Sequence, residues 1–262
     1  MARYLRLLFI QLRASVQTAL QYRFDFLFEG FTAVFWTATT FVPIFIAYDR
    51  REDVAGWTFG ESLLVLGFFL LLKSILEGTV NPSLITVVEH IRQGTLDFVL
   101  LKPADAQFLV STAKFDPSAV IGGFGGISLI VAAFIRLQRW PTMGGLLIAA
   151  LLLVAAIALL YSLWIMVISA AFYVVRVDNL SYLMTSVFDA ARWPSSVFRG
   201  SLHILFTFVV PLALMTTYPA QALLGHFSSK EAFEALAGAA GFAVIARLIW
   251  SGSVARYTSA SS

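Results

Sequence analysis

Cysteine is absent from the 262 residues, which excludes disulfides, thiolate nucleophiles and cysteine-based metal sites and leaves the redox compartment open. Charge is scarce. Charged residues make up 13% of the chain, against about 25% in an ordinary soluble domain. No G-x-x-x-x-G-K-[ST] run is present, so the chain has no nucleotide-binding P-loop of its own. No cluster of Lys and Arg interleaved with aromatics occurs either, which argues against nucleic acid as a partner. The three histidines, His90, His203 and His226, are too scattered to form a metal site, and no set of residues has catalytic spacing.

What remains is apolar. Hydrophobic residues are 59% of the chain and mean hydropathy is +0.84. A soluble fold of this size leaves too much surface in water to hide that composition. Lipid removes the difficulty, and the 24 Phe and 6 Trp suit helices that face acyl chains and end at headgroups.

The apolar runs predict an all-α integral membrane protein, a single transmembrane domain over 1–262 with six spans. The spans fall at about 26–48, 60–77, 119–135, 144–175, 201–218 and 233–250. The uncharged run 144–175 could reach ~48 Å, longer than a ~30 Å hydrocarbon core, so this helix is expected to project beyond the bilayer on its Val175 side. Ahead of the first span, 3–22 is amphipathic: Arg3, Arg6, Arg13 and Gln17 oppose Leu5, Phe9, Leu12 and Val16. That pattern predicts a helix lying in the membrane interface; Arg13 interrupts the apolar region that a signal peptide would need. Between spans five and six, Ala220 to Leu224 is too short to cross and predicts a short outer hairpin.

Basic residues set the expected orientation. With six spans, Arg50, Arg51, Arg136, Arg139 and Lys230 lie outside, and the other 13 of the 18 Lys and Arg, including Arg192, Arg199 and Arg247, lie inside. Both termini are then cytoplasmic. Asp25, Glu29, Lys73, Glu77 and Arg247 sit near span ends, where anchoring or snorkelling accounts for them, and Lys73 and Glu77 are spaced to pair. Gly122 and Gly126 within the third span, and Ala235, Ala239 and Ala243 within the sixth, are candidate helix-packing positions.

The most informative stretch is Asn81 to Pro103. Asn81 and Pro82 suit a helix start, Leu84, Val88 and Ile91 line one side, and Gly94 suits its stop. The polar residues Glu89, His90 and Arg92 would face the cytoplasm, with Gly94, Thr95, Leu96, Asp97 and Phe98 forming the turn beneath.

The run IRQGTLDFVLLKPAD at 91–105 resembles the segment after span two in the permease subunits of bacterial type-2 ABC exporters. Within that class it is similar to the branch of six-span permeases that pair with a second permease and a separate ATPase. RWPSSVF at 192–198 and FVVPLALMTTYPAQALLG at 208–225 resemble that branch's fifth span and outer hairpin, and RYTSAS at 256–261 resembles its tail. The resemblance implies a transmembrane export subunit of the cytoplasmic (inner) membrane, with no cofactor of its own. ATP and Mg²⁺ would be held by the ATPase subunit. It further implies that Glu89, His90, Arg92 and 94–98 form the coupling segment that this ATPase touches. A secondary transporter should show midplane acids in an internal repeat, and none is visible. A membrane assembly subunit without an ATPase is the other alternative.

Overall fold

The computed structural model of the chain describes residues 2–173, 178–206 and 210–257. It is a helical bundle. Helix α1 (Ala2–Gln21) leads into α2 (Arg23–Tyr48). A two-stranded hairpin follows, β1 (Asp53–Val54) against β2 (Trp57–Thr58), with Asp53 opposite Thr58. Thr58 then caps α3 (Phe59–Ile75): its hydroxyl accepts from the Glu61 N–H while the Glu61 carboxylate accepts from the Thr58 N–H. This reciprocal pairing fixes the helix start. After it come α4 (Asn81–Gln93), α5 (Asp97–Leu100), α6 (Ala106–Ser111), α7 (Val120–Leu137) and α8 (Met143–Ser169). The described chain continues with α9 (Asp178–Asp189), α10 (Ser201–Ile204), α11 (Tyr218–Leu223) and α12 (Ser229–Ala255).

Among the described residues, five helical stretches are long and apolar enough to cross a membrane: Phe24–Tyr48, Phe59–Gln93, Pro117–Leu137, Met143–Phe172 and Ser229–Ala255. They coincide with five of the six expected spans. The helix of the fourth ends at Ser169 and a short 3-10 turn carries it to Phe172. Its expected extension to Val175, the basic residue Arg176, 207–209 of the fifth expected span and 258–261 of the tail motif lie outside the described residues.

Two expectations are corrected. The first concerns Asn81, which does not start a new helix. The chain is helical without a break from Phe59 to Gln93 through a π-turn at Leu76–Val80, and Asn81 itself has helical angles (φ −60°, ψ −49°). Pro82 is accommodated because the Gly78 carbonyl, which it cannot bond, accepts the Asp116 N–H instead (2.8 Å).

The second concerns 201–218, which does not form one continuous helix. Its described residues are α10, a bend near Val210–Pro211 and a π-turn at Ala213–Thr217 running into α11. Both ends of the surrounding stretch sit at the same end of the bundle. The Ser196 hydroxyl donates to the Ala55 carbonyl in the β1–β2 turn (3.1 Å), and the Ala222 carbonyl lies against Gly145 in the first turn of α8. The chain therefore enters and returns. Arg199 belongs with Arg50 and Arg51 at the hairpin end, not opposite them. Thr216 and Thr217 seat the returning arm: their hydroxyls bond the Ala191 carbonyl and the Ser195 N–H, a cheap way to satisfy the backbone of a broken helix in apolar surroundings.

The core is centred on α3, whose residues from Leu63 to Leu72 are almost all buried, between α7 on one side and α8 with the 213–223 arm on the other; α12 packs on the far side of α8. Phe188 of α9 stacks on Phe69 of α3 and meets Trp164 of α8 edge-on. At the end opposite the hairpin, α1, α4, α5 and α6 form a layer joined in part by polar contacts.

Candidate functional site

The expected coupling segment is built in that layer. The apolar side of α4 faces inward as its spacing predicts: Leu84, Val87 and Val88 are buried and Ile91 is half-buried. Gly94 ends the helix in the left-handed region (φ 67°), where an L side chain would be strained. The Thr95 N–H then closes back on the His90 carbonyl (2.9 Å), and the His90 Nδ1 and Thr95 hydroxyl share a hydrogen bond of 2.8 Å. His90 and Thr95 thus rigidify the turn from inside.

Leu96 departs from its expected role. It is fully buried among core residues, so it cannot meet a partner; the apolar core draws it in, and it serves as the plug that seats the turn. Asp97 is half-buried. Glu89 and Arg92 are exposed on the outer surface of α4. Within 81–103 the most exposed apolar groups are Phe98, 71% exposed, near the start of α5, and Leu101, 81% exposed, just past its end. Val99 and Leu100 between them pack on the core. A short helix pinned by Leu96 therefore presents an exposed apolar edge, in a layer where Ile85 of α4 and Leu5 and Phe9 of α1 are exposed as well.

A second set of contacts, not expected from the sequence, holds the far side of this segment. Ser83 on α4 donates to the Lys114 carbonyl (2.6 Å) and accepts the Lys114 N–H (3.0 Å). Asp105 caps α6 by accepting the Phe108 N–H (2.9 Å), and its own N–H donates to the Tyr4 hydroxyl of α1 (3.2 Å). The same carboxylate receives a fork from Arg247 of α12, Nη2 to Oδ2 at 2.6 Å and Nη1 to Oδ1 at 3.2 Å. The guanidinium beside Asp105 holds its carboxyl below the usual carboxylate range, helped by the backbone N–H at the cap. Arg247 was expected to snorkel, and instead it finds this partner 142 residues away. The capping role of Asp105 had a sequence signal, an Asp directly before the Ala106–Ser111 run; its pairing with Arg247 had none.

The packing positions divide. A Cβ on Gly126 would stand 2.7 Å from the Gly67 carbonyl oxygen of α3, whereas one on Gly122 would meet nothing closer than the Ser74 Cβ at 3.8 Å. The close approach is thus at Gly126, with Gly67 as its counterpart. Ala235 and Ala239 are buried against α8, while Ala243 is exposed. Steps of four overrun the helix repeat of about 3.6 residues, so the stripe drifts and Ala246 takes the place expected of Ala243.

Lys73 lies between Glu77 (3.8 Å) and Asp189 (3.9 Å), so the expected Lys73–Glu77 pair forms and gains a third member. Beside it, a cavity of about 530 Å³ opens between α2, α3 and α7, lined by Trp36 and Leu70 as well as Glu29 and Asp116.

Long apolar helices joined at one end by a layer of polar contacts have the build of a multi-pass membrane protein. The profile of the ABC-2 family transporter protein matches residues 34–261, nearly the whole chain, and the chain belongs to that family. Neither the curated proteins nor the solved structures gave a match. Membership makes this chain a multi-pass transmembrane subunit of an ABC transporter of the inner membrane. It is a transport component, not itself catalytic, and its family implies partnership with an ABC ATPase.

Proposed function

We propose that this chain lines the translocation pathway of an ATP-driven exporter together with a second permease chain, with ATP and Mg²⁺ held entirely on separate ATPase subunits. The coupling segment, Glu89 to Phe98 extended to Leu101, is the ATPase contact. The observation that carries this reading is the exposed Phe98–Leu101 edge on a turn locked into the bundle by Leu96 and Gly94. Only a contact that differs between two states of the ATPase can do work on the permease. A rigid turn with an apolar edge can pass such a difference onward.

Phe98 is the anchor of that contact, since buried aromatics dominate many interfaces. Phe98→Ala should weaken ATPase binding by about 2 kcal/mol or more, while the bundle still inserts and folds. Co-purification of the ATPase with Phe98→Ala and Asp97→Arg, read with ATP hydrolysis rates, tests this. Full assembly and full activity in both variants would sink the assignment.

We also propose that the fifth crossing is made by α9 and the irregular chain that follows it to Val197, and that the described residues 200–206 and 210–223 belong to an outer re-entrant hairpin. This keeps both termini on the cytoplasmic side and puts Ser196 outside with the β1–β2 turn. The support is the path of the chain from Phe188 in the core to Ser196 at that turn. With no native cysteine present, Ser196→Cys and Glu52→Cys in intact cells should react with the same impermeant thiol reagent. Labelling of Glu52→Cys alone would return 201–218 to the role of the fifth span.

A further inference from the structure

Arg247 stands on α12 one turn before Trp250, which is buried against Phe172. Its guanidinium leaves the helix surface to fork onto Asp105, and the same Nη1 donates to the Gln107 side-chain oxygen at 2.7 Å. Gln107 in turn donates through Nε2 to the Tyr161 hydroxyl of α8 (3.0 Å). That hydroxyl also shares a 2.7 Å hydrogen bond with Ser111, one turn further along α6. On the other side, Tyr4 of α1 accepts the Asp105 N–H and sets its ring edge-on to Phe108, with centroids 4.8 Å apart. One short helix, α6, is thus hydrogen-bonded to α8, α12 and α1 at once.

The placement matters because only four residues, 102–105, separate the exposed edge at Leu101 from α6, and they contain Pro103. A force on Phe98 and Leu101 reaches Asp105 through a short, stiff connection. Asp105 then passes it by two routes. As the cap of α6 it sets that helix's direction, and as the acceptor of a bidentate fork it holds α12 at a fixed angle. Water alone would satisfy a snorkelled arginine at this depth, so the fork adds geometry rather than mere solvation. Along the seam with α8, by contrast, α12 is held by Ala235, Ala239 and Ala246, which supply contact but no directional bond.

We propose that Asp105 and Arg247 are positioning residues: they relay movement of the ATPase-docking segment to α12 directly and to α8 through Gln107 and Tyr161. The proposal rests on the reading that 89–101 meets the ATPase. Substitution at the relay should therefore uncouple the helices without releasing the ATPase, which separates it from loss of docking at Phe98.

The test uses the assembled transporter, permeases and ATPase together, in lipid nanodiscs. Nitroxide labels at Glu52→Cys and Ser229→Cys, both exposed at the hairpin end and remote from the relay, report how α12 stands relative to α2 and α3. Trapping with ATP and vanadate should change that distance in the otherwise unmodified protein. Asp105→Asn keeps the capping oxygen and Arg247→Gln keeps the stem, so both should fold and retain the ATPase. Each should shrink the vanadate-induced change several-fold, and Arg247→Lys should restore part of it. The double variant should be no worse than either single one, since both break the same link.

Full distance changes in the single variants would overturn the relay, as would losses that add in the double variant. A fall in thermal stability with the distance change intact would assign the pair a structural role and also overturn it. If the unmodified complex binds ATPase yet shows no change, the coupling reading falls and the relay falls with it.

Discussion

The seam where α3 meets α7 and the layer that holds α6 solve the same problem in opposite ways. At the seam two backbones touch through Gly67 and Gly126, and α12 meets α8 over alanines. In lipid the tails are as apolar as leucine, so association depends on close contact. At the layer, water competes for every polar group, and only bonds with direction hold a fixed geometry. There the elements are joined by Ser83 to Lys114, Asp105 to Arg247 and Gln107 to Tyr161. Shape positions the helices relative to one another, and charge and hydrogen bonding position the segment that a partner would move.

The sharpest way to break this comparison is to change size at the seam. Gly126→Ala adds one methyl group where a Cβ would sit 2.7 Å from the Gly67 carbonyl oxygen and 3.0 Å from the Leu71 nitrogen. Neither is the tip of a flexible side chain, so α3 and α7 must move apart, at a cost of about 1–3 kcal/mol. Gly122→Ala meets only the Ser74 Cβ at 3.8 Å. It should be neutral, or stabilising by roughly 0.5–1 kcal/mol through helix propensity. Thermal unfolding of the two variants in detergent checks the pair. Equal stability for both would mean that the seam is looser than its backbone contact implies.

The contrast also explains what the sequence could disclose. Five spans, the amphipathic α4 and the stop at Gly94 were legible because each depends on local hydropathy or on one residue's backbone preference. The sequence around Pro211 and Pro219 was apolar enough to suggest a span. Nothing local revealed that Ser196 and Ala222 both return to the hairpin end, because that path is set by contacts with Ala55 and Gly145 far away in sequence. Gly126 was recognisable as a packing residue, but its partner Gly67 was not singled out. Ala243 falls off the buried stripe because a four-residue step overruns the helix repeat, and Ala246 lies on it instead. Leu96 sits between polar neighbours, and its burial emerges only when α5 folds back on the core. The Asp105–Arg247 pair joins two segments 142 residues apart, and without a second sequence no periodicity connects them.

The smallest expected effect concerns charge in the layer. Asp105 has its carboxyl held below the ordinary range chiefly by the Arg247 fork. A carboxylate depressed in the folded state contributes stability above its unfolded value of about 3.9, and that contribution disappears as pH falls through the folded value. Its side chain is 36% exposed and that of Arg247 51%, so solvent screening keeps the pair to about 1 kcal/mol or less at neutral pH. The difference in thermal stability between the unmodified chain and Arg247→Gln should therefore be flat from pH 5 to 8. It should close only below about pH 4, where Asp105 becomes protonated in the unfolded chain first and in the folded chain later. Raising the salt concentration at pH 7 should narrow the same difference, since an exposed pair is screened. The seam variant Gly126→Ala should keep its deficit at every pH and salt concentration, because no ionisable group lies at that contact. A difference for Arg247→Gln that changed between pH 5 and 7 would point to another titrating partner and would remove Asp105 from the centre of the link.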